Sequence, residues 1–215
     1  MTDEIAAKLG HDRTHELRTL LVADIVESCR LYESGEAETI SRWLGILGRV
    51  DSEILPATGG RVVKSLGDGV LLEFDHALSA VSAAFALHHA CHRDNTGHPL
   101  ERQIMLRVGI EVADVLVAHH DVFGHGVNLA ARLCTLAGPG ETVVSAGVRD
   151  RLTRDLDADI EDLGDCYLKH IEHPVRAYRV GPPVNRRPAV SFPAMHDFDN
   201  TWQPRDRGDD LRAPP

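Results

Sequence analysis

A carboxylate interrupts the most apolar short run of this chain, Arg18-Thr19-Leu20-Leu21-Val22-Ala23-Asp24-Ile25-Val26. The run is bounded by charge and is short, so it predicts a buried strand. A buried carboxylate without a partner is costly, so Asp24 constrains the fold: its strand must end where something can meet the charge. A second acid offers itself at Gly67-Asp68-Gly69, between the β-type runs Arg61–Leu66 and Val70–Phe74. Two such runs around a short glycine turn predict a hairpin. Taken alone, Gly-Asp-Gly is ordinary turn chemistry. A central strand beside this hairpin, however, would bring Asp24 and Asp68 together at a sheet edge. Two carboxylates sharing a site repel each other unless a cation lies between them. Oxygen ligands of this kind suit Mg²⁺ or Mn²⁺, with nucleotide phosphates completing the shell.

The remaining pattern alternates helices with strands. Ile40, Trp43, Leu44, Leu47, Val50 and Ile54 recur at three- and four-residue steps, which predicts one amphipathic helix ended by Pro56 and Gly59-Gly60. A second helix is expected over about 75–93. Two strands, 104–111 and 114–118, and a helix over about 126–136 follow. A short strand at 141–145, a brief helix and a hairpin of 160–169 with 175–180 close the pattern. The order β-α-α-β-β-α-β-β-α-β-α-β-β makes this an α+β chain, with a mostly antiparallel sheet covered by helices. Residues 1–16 read as a polar N-terminal extension and 17–181 as the folded domain. The proline-crowded stretch 182–215 reads as a disordered tail, in which Phe192, Phe198 and Trp202 would suit a docking segment.

The 215 residues carry 33 acids against 23 Lys and Arg, a formal net charge of −10. This argues against a dedicated nucleic-acid binder, whose footprint is basic. Cys29, Cys91, Cys134 and Cys166 form no CxxC pair, which fits a reduced, cytoplasmic protein. No signal peptide and no membrane-spanning run are expected.

Three segments together carry a resemblance: Ala23-Asp24-Ile25-Val26; Gly59-Gly60-Arg61-Val62-Val63-Lys64-Ser65-Leu66-Gly67-Asp68-Gly69; and Asp121-Val122-Phe123-Gly124-His125-Gly126-Val127-Asn128-Leu129-Ala130-Ala131-Arg132. In this order and spacing they resemble the motifs of class III nucleotidyl cyclases over about residues 17–181. The resemblance implies a ferredoxin-like, palm-type catalytic domain. It implies that Asp24 and Asp68 bind two Mg²⁺ or Mn²⁺ ions per site, that Lys64 and Asp121 read the adenine ring, that Asn128 orients the ribose, and that Arg132 stabilises the transition state. Backbone amides from Ile25 to Ser28 are expected to cradle the triphosphate, and Lys169 matches a lysine that touches phosphate, although His170 replaces its usual glycine neighbour. The implied activity is adenylate cyclase, converting ATP to 3′,5′-cyclic AMP and pyrophosphate. The implied assembly is a head-to-tail homodimer with two composite sites, each taking its aspartates from one subunit and Asn128 and Arg132 from the other.

Elementary chemistry agrees with these roles. Asn128 and Arg132 are four apart and share a helix face. A carboxylate accepts from the adenine amino group and an ammonium donates to a ring nitrogen, whereas guanine would leave both unpaired. Guanylate cyclases typically replace this pair, commonly with glutamate and cysteine. One position departs from the family pattern: Ala113 stands where a glycine is usual, and a required positive φ there would strain it. Glu111 adds a carboxylate near the sheet. The alternative reading is therefore a degenerate cyclase-homology module that binds nucleotide or a partner without turnover. His88 and His92 have a spacing that can chelate a transition metal but read as a polar helix end. His119, His120 and His125 read as a solvated loop.

Overall fold

The strand predicted over Arg18–Val26 is the one around which the whole sheet is laid. In the computed structural model, which describes residues 14–118, 121–152 and 156–183, β1 (Thr14–Ile25) lies between β3 (Gly69–Phe74) and β4 (Leu106–Ala118). Leu20, Leu21 and Ala23 are fully buried. β2 (Gly60–Ser65) forms a hairpin with β3, and β5 (Asp121–Phe123) folds back on β4. Beyond β4 come β6 (Thr142–Ser145), β8 (Val175–Gly181) and, at the far edge, β7 (Asp159–Cys166). The β4–β6 pair is parallel and the other pairs are antiparallel. The expected class, a mostly antiparallel sheet covered by helices, is the observed one.

α1 (Ser28–Arg49) continues through a π-helical stretch, Val50–Ile54, into α2 (Leu55–Thr58). Together with α3 (Ala77–Asn95) it covers one face of the sheet, where Trp43, Ile46, Val50, Leu87, Ile104 and Ile110 build the main core. The buried stripe of α1 is narrower than its apolar periodicity suggested, because Ile40 and Leu44 remain 42% and 60% exposed. α4 (His125–Leu136) covers the other face, and α5 (Ala146–Arg149) follows β6.

Two boundaries differ from the sequence reading. The strands expected at 104–111 and 114–118 are one continuous β4. The cause is β1, which pairs with β4 from Ile25↔Leu106 through Thr14↔Val117 without interruption and leaves no room for a turn at Val112-Ala113. Ala113 is accordingly extended, and among the described residues the non-glycine residues with positive φ are Glu27 and His170. The strain foreseen at Ala113 is absent. Residues 14–16, assigned to an extension, already belong to β1. Residues 1–13, His119, His120 and the 184–215 stretch with Phe192, Phe198 and Trp202 lie outside the described residues.

The sheet is strongly coiled. Lys64 on β2 is level with Val22 on β1, through Leu71, whereas Asp121 on β5 pairs with Ala118, beyond the level of Thr14. In a flat sheet about nine residues at roughly 3.4 Å each, about 31 Å, would separate the two levels. The Lys64 and Asp121 side chains nevertheless touch. The sheet rolls around α4, so that Val63 of β2, Val122 of β5 and Ala130 of α4 share one apolar cluster.

Candidate active site

Asp24 is a part-exposed position between buried Ala23 and Ile25 at the end of β1, and its neighbour across the ladder is Gly69. A glycine is needed there because a Cβ at 69 would stand 2.7 Å from the Ala23 carbonyl oxygen and 3.2 Å from Asp24 Oδ1. The hairpin tip therefore lies directly on the strand end, and Asp68 beside Asp24. The Ile25 N–H donates to the Asp68 carbonyl oxygen at 3.0 Å, and the Trp43 indole N–H donates to the Gly67 carbonyl oxygen at 3.2 Å. Trp43 is thus a core residue that also holds the turn.

Neither carboxylate is bare. Arg107 Nε and Nη2 both donate to Asp24 Oδ2, at 2.9 and 2.6 Å, and the Ser28 hydroxyl donates to Asp68 Oδ2 at 2.5 Å. Each acid keeps its Oδ1 clear of protein donors among the described residues. No cluster of three or more His, Cys, Asp or Glu suited to a metal is present among them, so two carboxylates are what the chain offers here. An oxygen-only pair with one open oxygen apiece fits a hard divalent cation whose remaining ligands are phosphate and water.

Lys64 reaches its place through a β-bulge. Val62 pairs with Leu72 and Lys64 with Leu71, leaving Val63 unpaired. In regular register Lys64 would oppose Val70 and point to the face covered by α1 and α3. The bulge turns it to the α4 face, a recognised use of bulges beside functional sites. There its Nζ is 2.9 Å from the Asp121 carboxylate and 5.7 Å from the centroid of Phe123. Burial alone would raise the Asp121 pKa, but the hydrogen bonds from Lys64 and the Val122 N–H outweigh it and hold the carboxyl below its ordinary range.

Asn128 is exposed and Arg132 half-buried on α4. The helix is pressed onto β4 at Gly109, where a Cβ would stand 2.1 Å from the Cys134 nitrogen. Among the described residues no hydrogen bond or ion pair links the Asn128 or Arg132 side chain to Asp24, Asp68, Lys64 or Asp121. Lys169 is exposed in the Leu168–Ile171 turn after β7, where Ile171 N–H donates to Leu168 O and His170 takes φ 64°. β7 is the far-edge strand, four strand steps from β1. Within one chain the structure joins Asp24 with Asp68 and Lys64 with Asp121, and sets Lys169 in the turn after that edge strand. The Ile25 amide is engaged by Asp68 and that of Val26 by the Met105 carbonyl. These two amides, expected to cradle phosphate, are therefore already paired within the chain.

The side-chain contacts of Arg107 and Ser28 were not foreseen in the sequence, where Ser28 entered only through its backbone amide. Arg107 opposes Asp24 in the β1–β4 register, a cross-strand charge pair invisible until the register is known. Ser28 reads in sequence as a helix-start residue. His88 is no metal ligand: its Nε2 shares a hydrogen bond with the Thr142 hydroxyl at 3.0 Å, and burial pushes its pKa down to about 4.

Residues 11–181 match the family model described as the adenylate and guanylate cyclase catalytic domain. The chain is 36% identical over 201 residues to the "Putative adenylate cyclase 3" of Rhizobium meliloti, covering 86% of this chain and 34% of that protein. It is 35% identical over 151 residues to an adenylate cyclase of Streptomyces coelicolor, covering 69% of this chain and 38% of that one. The chain thus spans about a third of the length of these curated relatives. Among solved structures, an adenylate/guanylate cyclase/hydrolase from Silicibacter pomeroyi superposes with a TM-score of 0.70 at 30% identity, covering 80% of this chain and 99% of that one. The adenylyl cyclase CyaB from P. aeruginosa shares the fold with a TM-score of 0.71 at 24% identity, covering 82% and 98%.

Proposed function

Because this chain belongs to the class III nucleotidyl cyclases, we propose that it is an adenylate cyclase, cyclising ATP to 3′,5′-cyclic AMP. The bond from the ribose 3′-oxygen to the α-phosphorus forms, the bond from the α-phosphorus to the bridging oxygen breaks, and pyrophosphate and the 3′-hydroxyl proton leave. The observation that carries the choice of nucleotide is the Lys64–Asp121 pair at 2.9 Å. It sets an acceptor beside a donor, the complement of the adenine amino group and a ring nitrogen. Guanine reverses much of that pattern and would leave Lys64 and Asp121 unpaired once a bound base covers them.

Asp24 and Asp68 would hold two Mg²⁺ or Mn²⁺ ions. Such ions supply Lewis-acid activation of the ribose hydroxyl and charge neutralisation on the triphosphate. The chain's own groups do the rest. The amides at the start of α1, a helix broken by a kink at Gly35, bind phosphate oxygens, and Arg132 meets the charge that develops in the transition state.

The assembly is a head-to-tail homodimer whose sites combine Asp24 and Asp68 of one subunit with Asn128 and Arg132 of the other. Three features support it. The Asn128 and Arg132 side chains have no protein partner among the described residues, Lys169 lies across the sheet, and Val62, Leu66 and Phe123 are 40–50% exposed. The alternative of a module without turnover drew on strain at Ala113, which is extended and unstrained.

The test is turnover of ATP and of GTP with Mg²⁺ and with Mn²⁺, products being separated chromatographically. Cyclic AMP abolished by Asp24→Ala or Asp68→Ala is the expected result. Mixing inactive Asp68→Ala with inactive Arg132→Ala is expected to restore up to a quarter of the activity, as one intact composite site reforms in mixed dimers. No cyclic product from a folded dimer under any of these conditions would overturn the proposal.

A further inference from the structure

Ser28, the first residue of α1, is 8% exposed. The capping position, whose side chain ordinarily accepts from a backbone N–H, belongs to Glu27, so the Ser28 hydroxyl is free for another partner. Glu27 sits at φ 52°, and α1 begins without a side-chain cap. The Ser28 hydroxyl instead spans forty residues of sequence to donate to Asp68 Oδ2. Its target sits on a tight turn between Gly67, at φ +88°, and Gly69. Other bonds secure that turn's backbone: Ile25 N–H to Asp68 O, Leu66 N–H to Gly69 O, and the Trp43 indole to Gly67 O. Among the described residues, Ser28 is the donor that grips the Asp68 carboxylate itself.

We propose that Ser28 is a positioning residue for divalent-cation binding, its hydroxyl fixing the Asp68 carboxylate in one rotamer with Oδ1 left to the ion. This rests on the reading of Asp24 and Asp68 as metal ligands. A carboxylate on a glycine-flanked turn has several rotamers available, and each one excluded before the ion arrives is entropy not lost on binding. Hydrogen-bond partners of metal-binding carboxylates typically change affinity by about 10–100-fold when removed.

The test is a titration of the full-length chain with Mn²⁺ alone, free ion being followed by electron paramagnetic resonance. Ser28→Ala and the nearly isosteric Ser28→Cys are expected to weaken Mn²⁺ binding by about 10–100-fold with unchanged melting temperature, and Ser28→Thr, which keeps the hydroxyl, to retain it. Two variants guard against a packing artefact, since Cys preserves the buried volume. Wild-type affinity, or tighter binding, in both Ala and Cys variants would overturn the role of Ser28 while leaving the metal site standing. Absence of Mn²⁺ binding by the wild-type chain, or binding that survives Asp24→Asn with Asp68→Asn, would overturn the metal reading and the role of Ser28 with it.

Discussion

The methyl group of Ala113 fills the space that a side chain at Gly126 would need: a Cβ built on Gly126 would stand 2.1 Å from it. The first turn of α4 therefore lies flat on β4, and Asn128 and Arg132 take their positions from that contact. Ala113→Gly is expected to relieve nothing. It should lower stability by about 1 kcal/mol, through a looser strand and a lost methyl contact, or roughly 2–4 °C in melting temperature. Gly126→Ala should cost about 1–3 kcal/mol by overpacking, and the double variant should recover most of that loss. Thermal melts of the three proteins provide the check. Additive losses in the double variant would mean that the two positions do not interact.

Arg107 and a metal ion compete for Asp24. The guanidinium occupies Oδ2 and brings a unit positive charge to the place where a cation would sit. At an effective dielectric of about 20, a guanidinium and a doubly charged ion roughly 5 Å apart repel by about 7 kcal/mol, and solvent strongly reduces this. Arg107→Gln is therefore expected to tighten Mn²⁺ binding by on the order of tenfold, opposite in sign to Ser28→Ala. Weaker binding by Arg107→Gln in the same paramagnetic titration would show that the arginine acts by orienting Asp24 rather than by its charge.

Removing Lys64 should blunt base selection more than turnover in general. Lys64→Met is expected to lower kcat/KM for ATP by about 5–150-fold and to change that for GTP little, as read from the two products in one mixed-substrate assay. The pair also has a pH signature. The Asp121 carboxyl is held below its ordinary value of 3.8. Its stabilisation is therefore complete above that value and lost as pH falls through the folded-state value. The melting deficit of Lys64→Met should be constant from neutral pH down to about 5 and vanish in stronger acid. It should be small, because Lys64 and Asp121 are 39% and 30% exposed and solvent screens the pair.

Glu111 behaves in the opposite sense. It is 7% exposed, and its Oε2 makes no hydrogen bond among the described residues. Burial raises its pKa above 4.5, and the Ser145 hydroxyl, the Val112 N–H and Arg151 pull back without cancelling that rise. The folded state thus holds its proton more tightly than the unfolded chain, and stability falls as pH rises from about 4.5 to the folded-state value. Glu111→Gln is expected to raise the melting temperature at pH 8 by roughly 2–4 °C, the equivalent of about 1 kcal/mol, and to leave it unchanged near pH 4. A gain independent of pH would sink the ionisation argument.

Much of this protein is local and so was legible in the residues alone. Apolar periodicity and the turns at Gly59-Gly60 and Gly67-Asp68-Gly69 specify the order of strands and helices, because strand and helix periods and turn chemistry act over a few neighbours. Asp24 announced itself as an acid in an apolar strand, and the three motif segments are contiguous. The tertiary structure alone decided what depends on long-range register. β4 is one strand because β1 offers it an unbroken partner. Lys64 faces Asp121 because Val63 is bulged and the sheet coils around α4. Asp24 meets an arginine 83 residues away, and the Asp68 carboxylate meets a serine forty residues before it in the chain. Such pairs follow from how twisted strands align and close on a helix, a balance of packing over the whole sheet that no short stretch of sequence contains.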